Sequence, residues 1–337
     1  MPATRDLVVI GSSAGGVEAL PQVLGCFPPD FGAAVCIVQH LRSSADPLLV
    51  SILRRSTPLA VEWAEQGARV EPGHVYVAPP DVHTLFSDDH LTLVRGPREN
   101  FSRPSINKTF RSAAAHYGTR AIGVLLTGML DDGVSGLCSI RDNGGVLVVQ
   151  DPMDAMYPEL PMRALRAVEP DQVLPLSSIG LAIIALVGQR VEQRERSPQL
   201  AAEAEIDRSG NVDPSTLEMI ANRTPIPCPD CKGPTWLVGE PGNRRYRCYH
   251  GHVSAAQDLL AQESLEIESA LWSAVRALSD RAITLETLAN DSERLGRQRI
   301  ANTYSDRARE ARGHAEAVRK FVLDVLRLEF PPDAEMT

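Results

Sequence analysis

The chain has 337 residues, 43% of them hydrophobic and 23% charged, with a formal net charge of −9. That balance is ordinary for a soluble globular protein of two or three domains. The acidic excess argues against a general nucleic-acid binder.

The N-terminal stretch lacks a signal-peptide pattern, and the most apolar segment, "IGLAIIALVG" (Ile179 to Gly188), is too short to span a bilayer. A cytoplasmic location is expected. Of the six cysteines, Cys26, Cys36 and Cys138 are scattered and read as buried thiols, whereas Cys228, Cys231 and Cys248 cluster.

In chain order, "LVVIG" reads as a buried strand, "GGVEALPQVLGCF" as a helix and "AAVCIVQH" as the next strand. "PLLVSILRRS" is helical and "LAVEWA" extended; "HVYVAPP" and "LTLVRG" are predicted as a meander at a sheet edge. Then come the helix "SINKTFRSAAAHYG", the strand "AIGVLLTG", the helix "GVSGLCSIRDNG", the strand "GVLVVQD", and the helices "PELPMRALRAV" and "IGLAIIALVGQRVEQ". Strands and helices alternate, and the strands are near-continuous runs of Val, Ile and Leu. Residues 1–193 are therefore expected to form a doubly wound α/β domain with a mainly parallel sheet.

Residues 194–225 are charged, contain Ser and Pro and show weak periodicity, so a linker is expected there. A cysteine-rich patch occupies 226–254. Residues 255–337 read as helical. Leu271, Val275, Leu278, Ala282, Leu285 and Ala289 form one seam at steps of four and three. Tyr304, Ala308, Ala311, Ala315, Val318, Val322 and Val325 form another. Two such seams joined near 290–297 predict an antiparallel helical hairpin. The hairpin either folds only on itself or offers a surface for a second copy or a partner.

The stretch "DLVVIGSSAGG" (Asp6 to Gly16) places a turn between the first strand and the first helix. A dinucleotide site needs G-x-G-x-x-G and an acidic residue about 20 positions on. Here the second glycine is missing, the second strand ends in Gln39-His40, and no Walker lysine is present. A serine nucleophile fits better. At such a turn the hydroxyl stands above the sheet, and the following helix start offers backbone N–H groups to an oxyanion. The serine needs a base and the base an orienting carboxylate. Ser13, His40 and Asp132 each lie at the end of a separate predicted strand, so all three are expected at one sheet edge.

"CPDC", sixteen residues and "CYHGH" give C-x2-C-x16-C-x-H-x-H. Thiolate and imidazole ligands at this spacing suit tetrahedral zinc. Cys228, Cys231 and Cys248 are candidate ligands, with His252 favoured over His250 as the fourth by its C-x3-H spacing. "PDCKG" and "YHGH" resemble zinc-ribbon knuckles. A structural zinc is expected; the alternative is a metal-free hairpin.

The first 190 or so residues resemble the catalytic domain of the chemotaxis protein-glutamate methylesterases. The resemblance is carried by "VVIGSSAGGVEAL", "CIVQH", "GHVYVAPPDVH", "RPSINKTFRSAA", "GVLLTGMLDDGVSGL" and "LPMRALR", in matching order and spacing. It implies a doubly wound α/β fold and assigns the nucleophile to Ser13, the base to His40 and the carboxylate to Asp132. It further implies oxyanion donors at the backbone of Ala14 and Met129, no catalytic cofactor, and a methylated chemoreceptor-type protein as substrate. The expected reaction is hydrolysis of glutamyl γ-methyl esters with release of methanol. Glutaminyl deamidation or another ester is a variant of that chemistry, and an adaptor that mainly binds signalling partners is the competing reading. The family's usual phospho-receiver domain would precede a motif that here begins at residue 7, so an esterase without it is expected. Two further departures are Ala14, where many relatives carry Thr, and Asp131, which adds a carboxylate beside Asp132.

Overall fold

The structure, a computed structural model, describes residues 3–41, 48–194, 197–210, 214–239 and 243–329. It divides into two compact units, 1–258 and 259–337.

The first unit opens with a short strand, β1 (Ala3–Thr4), followed by β2 (Leu7–Ser12), α1 (Gly16–Leu24), β3 (Ala34–Gln39), α2 (Leu48–Ser56), β4 (Ala60–Trp63) and β5 (His74–Val77). A hairpin, β6 (His83–Ser87) and β7 (His90–Val94), precedes α3 (Ile106–Tyr117), β8 (Ala121–Leu125), α4 (Val134–Asp142), β9 (Val146–Gln150), α5 (Glu159–Ala167), β10 (Gln172–Leu174) and α6 (Leu176–Leu186). The short β11 (Arg190–Val191) pairs antiparallel with β1. The central sheet has seven strands in the order β10-β9-β8-β2-β3-β5-β4, all parallel. β2 and β3 are buried throughout, which is why they read as unbroken apolar runs. Alternate residues of β2 face opposite layers. Val9 packs with Phe110 of α3, Leu137 of α4 and Leu160 of α5, whereas Val8 and Ile10 pack with Leu20 and Val23 of α1 and Ile183 of α6. The doubly wound expectation holds.

The predicted edge meander does not form. "HVYV" is β5, an interior parallel strand between β3 and β4, with Val75, Tyr76 and Val77 buried. "LTLV" belongs to the separate hairpin, where it pairs antiparallel with β6.

The expected linker over 194–225 is also corrected. Its described residues form α7 (Pro198–Ser209), α8 (Pro214–Ile220) and most of β12 (Asn222–Pro227). The Ser197 side chain accepts the Leu200 N–H at the start of α7, and Gly210 ends it in the left-handed region at φ 65. Leu200 and Ala204 join the core shared with α3, while Ile206 packs with Leu217 of α8 and with Trp236.

β12 then leads an antiparallel sheet completed by β13 (Pro234–Val238), β14 (Arg245–Cys248) and β15 (Val253–Ala255). Charged groups bind this sheet to the catalytic-type core. Arg111 of α3 pairs with Glu99 at 2.5 Å and with Asp207 of α7 at 2.8 Å. Arg247 of β14 also pairs with Asp207, and Arg245 donates to Glu203 at 2.6 Å and to Ser135 at 2.8 Å. All six charged groups are buried.

α9 (Ala256–Arg294) and α10 (Gln298–Glu329) supply the second unit. Val275, Ala282 and Ala289 of one predicted seam and Ala308, Ala311, Ala315 and Val322 of the other are buried. An Arg312–Glu286 pair links the two helices, and Gly296, at φ 73, turns the chain between them. Val325 lies outside the residues whose side chains are described.

Candidate active site

The site sits at the carboxyl ends of β2, β3 and β8, where an open parallel sheet leaves a crevice. β2 ends at Ser12, whose buried hydroxyl donates to Gln39 Oε1 at 2.6 Å. Gln39 Nε2 donates to the carbonyls of Ser13 (2.7 Å) and His40 (2.9 Å), so one side chain fixes both turns. Gly15 takes φ 78, and a Cβ on Gly16 would lie 1.9 Å from Gln39 Oε1. The two glycines are therefore required for the turn to close over Gln39.

Ser13 Oγ lies 3.2 Å from His40 Nδ1, and His40 Nε2 lies 2.8 Å from Asp132 Oδ2. The three residues expected to converge do so. The ring order is fixed by its partners: a proton on Nε2, donated to the carboxylate, leaves the Nδ1 lone pair facing the serine hydroxyl. Asp132 is buried at the start of α3. Its Oδ1 accepts from Ser105 Oγ (2.8 Å) and the Asn107 N–H (3.0 Å), and its Oδ2 also accepts from the Ile106 N–H (2.7 Å). The first turn of a helix is where a carboxylate is favoured. Ser105, the N-cap, also accepts the Lys108 N–H, and its own N–H donates to His83 Nδ1 at 3.2 Å. Burial, with the nearby Lys108 charge adding to it, pushes the His83 imidazole down to about 3, so it remains neutral and able to accept.

The Ser13 N–H is engaged by the Thr127 carbonyl at 3.1 Å. The Ala14 and Met129 N–H groups donate to no described residue, which leaves both free for an incoming oxygen. Leu130 and Gly133 take positive φ, 64 and 119, in the loop that carries Asp131 and Asp132. A cleft of about 230 Å³ opens beside His40, lined by Leu41, Arg98, Phe101 and Arg103 among others. Met129, Leu130, Met156 and Tyr157 are exposed apolar groups of the neighbouring loops.

Gln39, Ser105 and Asn107 were not anticipated as site residues. The Asn107 side-chain oxygen accepts from the N–H groups of Gly133 and Gly136, at 2.9 and 2.8 Å, and so holds the Asp132 loop against α3. The available signal was Ser105 at an N-cap position after a proline, which marks a helix start without revealing what that start binds.

A second cluster lies in the antiparallel sheet. The Sγ atoms of Cys228, Cys231 and Cys248 and one ring nitrogen of His252 all fall within 4.8 Å of one another. Cys231 Sγ is 3.7 Å from Cys248 Sγ, and Cys248 Sγ is 3.5 Å from His252 Nδ1. Tetrahedral zinc with Zn–S of about 2.3 Å gives ligand separations of roughly 3.4–3.8 Å, so this donor set fits that ion. His250 is exposed and outside the set, although its Nδ1 also lies 3.5 Å from Cys231 Sγ. All six cysteines are free thiols. The Cys228 N–H donates to Gly233 O and the Lys232 N–H to Cys228 O, both at 2.8 Å, which forms the turn that aims the first two thiols together.

Residues 8–183 match the family model described as CheB methylesterase. A Leptospira interrogans protein, provisionally named protein-glutamate methylesterase/protein-glutamine glutaminase, is 40% identical over 190 residues, which cover 56% of this chain and 98% of that one. A Mesorhizobium japonicum protein-glutamate methylesterase/protein-glutamine glutaminase is 40% identical over 184 residues, covering 54% of each chain. The crystal structure of the Thermotoga maritima CheB methylesterase catalytic domain aligns with a TM-score of 0.53 at 32% identity, covering 55% of this chain and all of that one. Three strand ends that meet in a serine, a histidine and a carboxylate thus sit within a match spanning more than half of the sequence, and the chain belongs to the CheB methylesterase family.

Proposed function

We propose that the chain hydrolyses glutamyl γ-methyl esters on methylated chemoreceptor-type proteins in the cytoplasm, with Ser13 as nucleophile, His40 as general base and Asp132 as its orienting carboxylate. The observation that carries this reading is the relay from Ser13 Oγ through His40 to Asp132, at 3.2 and 2.8 Å. The names of the relatives support the substrate class.

Ser13 Oγ attacks the ester carbonyl while His40 Nδ1 takes its proton. The tetrahedral oxyanion is met by the N–H groups of Ala14 and Met129; one such donor is typically worth about 3 kcal/mol. As the intermediate collapses, the imidazolium returns its proton to the methoxy oxygen, the C–O bond breaks and methanol leaves an acyl-serine. Water, deprotonated by the same nitrogen, then frees the glutamyl carboxylate and Ser13. With ammonia as leaving group the same steps deamidate glutamine, in keeping with the double names of the relatives. Asp132 fixes the tautomer and stabilises the imidazolium. The chemistry calls on no cofactor. The Cys228, Cys231, Cys248 and His252 set holds a structural zinc that organises the antiparallel sheet.

The test is methanol release from methylated receptor by the purified full chain. Release by the wild type and its loss in Ser13→Ala is the expected result. No release from receptor or from a small methyl ester refutes the reading and leaves the adaptor role.

A further inference from the structure

A second cavity, of about 380 Å³, lies on the other side of the Asp132 loop, between α5 and the start of β14 and of α9. That volume is in the range that holds small ligands. Four guanidinium groups line it, Arg163, Arg166, Arg244 and Arg245, against a single carboxylate, Asp131. Arg163 is engaged with Glu159, Gln257 and the buried Asp258, and Arg245 with Glu203. Arg166 and Arg244 are exposed and have no hydrogen bond or ion pair among the described residues.

Two asparagines complete the wall. Asn107 Oδ1 accepts from Gly133 and Gly136, and Asn100 Oδ1 accepts from the Ala255 N–H at 3.1 Å. Their amide orientations are thereby fixed, and the groups left over are both donors. Asn100 Nδ2 and Asn107 Nδ2 are buried and unpaired. An acceptor with several oxygens and negative charge meets the two accessible guanidinium groups that have no partner among the described residues.

We propose that this cavity is a binding site for a small oxyanion bearing phosphate or carboxylate groups. Asp131 opposes an anion less as pH falls below about 7. Burial, with Asp258 nearby, pushes its carboxyl up to about 7, so it is largely neutral in mildly acidic solution. The site lies next to the Asp132 cradle through Asn107, and next to the antiparallel sheet through Asn100 and Ala255. It does not depend on the esterase reading.

The experiment is isothermal titration of the full chain with inorganic phosphate and, separately, with succinate. Saturable binding of one anion per chain is expected for at least one probe, and the better probe identifies the source chemistry. Arg244→Ala and Arg166→Ala, both at exposed positions, should each weaken it by about tenfold or more, as loss of a charge-assisted contact does. No saturable heat from either probe up to about 10 mM, where even a millimolar site would fill, overturns the proposal and leaves the wall to water. Binding that is unchanged in both arginine variants overturns the location.

Discussion

Asp132→Asn is the most discriminating single change at the triad. The carboxylate accepts four hydrogen bonds, two on each oxygen: Ser105 Oγ and the Asn107 N–H on Oδ1, His40 Nε2 and the Ile106 N–H on Oδ2. An amide offers one oxygen and one NH2 group, so in either orientation a backbone N–H of α3 faces a donor. If the NH2 group points at His40, the ring is driven to carry its proton on Nδ1, toward Ser13, and the base is lost. If it points the other way, it meets the Asn107 N–H at the 3.0 Å now spanned by a hydrogen bond. Either orientation costs about 1–3 kcal/mol of stability, and the first sacrifices catalysis as well. A wrong tautomer costs about 10⁴ in kcat in the best-studied serine hydrolase triad, or about 5.4 kcal/mol of barrier. The expected outcome is a folded protein whose kcat for a small methyl ester falls by about that factor, with KM little changed. Methanol release under single-turnover conditions, alongside circular dichroism and a melting curve, measures both terms. A variant that keeps activity within about tenfold of wild type, with an unchanged melting curve, refutes the assignment of Asp132 as the group that sets the tautomer.

Ser13→Ala and His40→Ala should each reduce ester hydrolysis by about 10⁴ or more, and the double variant should be little worse than either single one, since the pair acts as a unit; additive losses in kcat would count against that. Asp131 and Asp258 are raised by burial to about 7 and about 6, so the folded state holds protons that the unfolded chain releases above about pH 4. Their contribution to stability is therefore lost as pH rises from about 4 to 7, and Asp131→Asn should stabilise the protein at pH 8 and leave it unchanged near pH 4 in denaturant titrations. Elemental analysis should find about one zinc per chain in purified protein, and Cys231→Ser should lose it with disorder of the antiparallel sheet, read by tryptophan fluorescence at Trp236. Metal-free wild type with an intact Trp236 environment would remove zinc from the account.

Much of this was legible in the sequence because burial on both faces writes itself plainly. β2 and β3 are apolar runs followed at once by Ser13 and His40, and their order in the chain predicts that they are neighbours. The hairpin seams were equally plain, since small and apolar residues recur at steps of three and four. β5 was misread because four residues followed by two prolines look like an edge, and nothing local reports that β4 lies outside it. The error over 194–225 has a different cause. Glu203 and Asp207 look like solvated charges on a weakly apolar helix, but their partners, Arg245, Arg111 and Arg247, are distant in sequence. The caps of α7, Ser197 before Pro198 and Gly210 at its end, were local and readable. At the site, what the sequence concealed was support: Gln39, Ser105 and Asn107 act through contacts that appear only when strand ends and a helix start are brought together.

The buried charges bear on the triad itself. Burial alone would raise the Asp207 carboxyl, but the charges of Arg111, Arg247 and Lys108 outweigh it and hold it well below the usual range. An intact buried network of this kind stabilises little compared with apolar residues of the same volume, yet losing one member typically costs about 3–5 kcal/mol, because a charge is then left unpaired. Its effect is to fix relative position. Arg111 lies five residues after Ile106 on α3, about 7.5 Å along the helix axis. The first turn of that helix holds the triad carboxylate through Ser105, Ile106 and Asn107, and the second holds Asp207, which in turn holds Arg247 of β14. One rigid element thus holds Asp132 at one end and the anchor of the antiparallel sheet a turn and a half away. Displacing that sheet strips Arg247 from Asp207 and Arg245 from Glu203, leaving both carboxylates to the α3 cations Arg111 and Lys108 alone. The helix then either readjusts or bears the cost, and in both cases the Asp132 cradle is the nearest functional geometry to feel it.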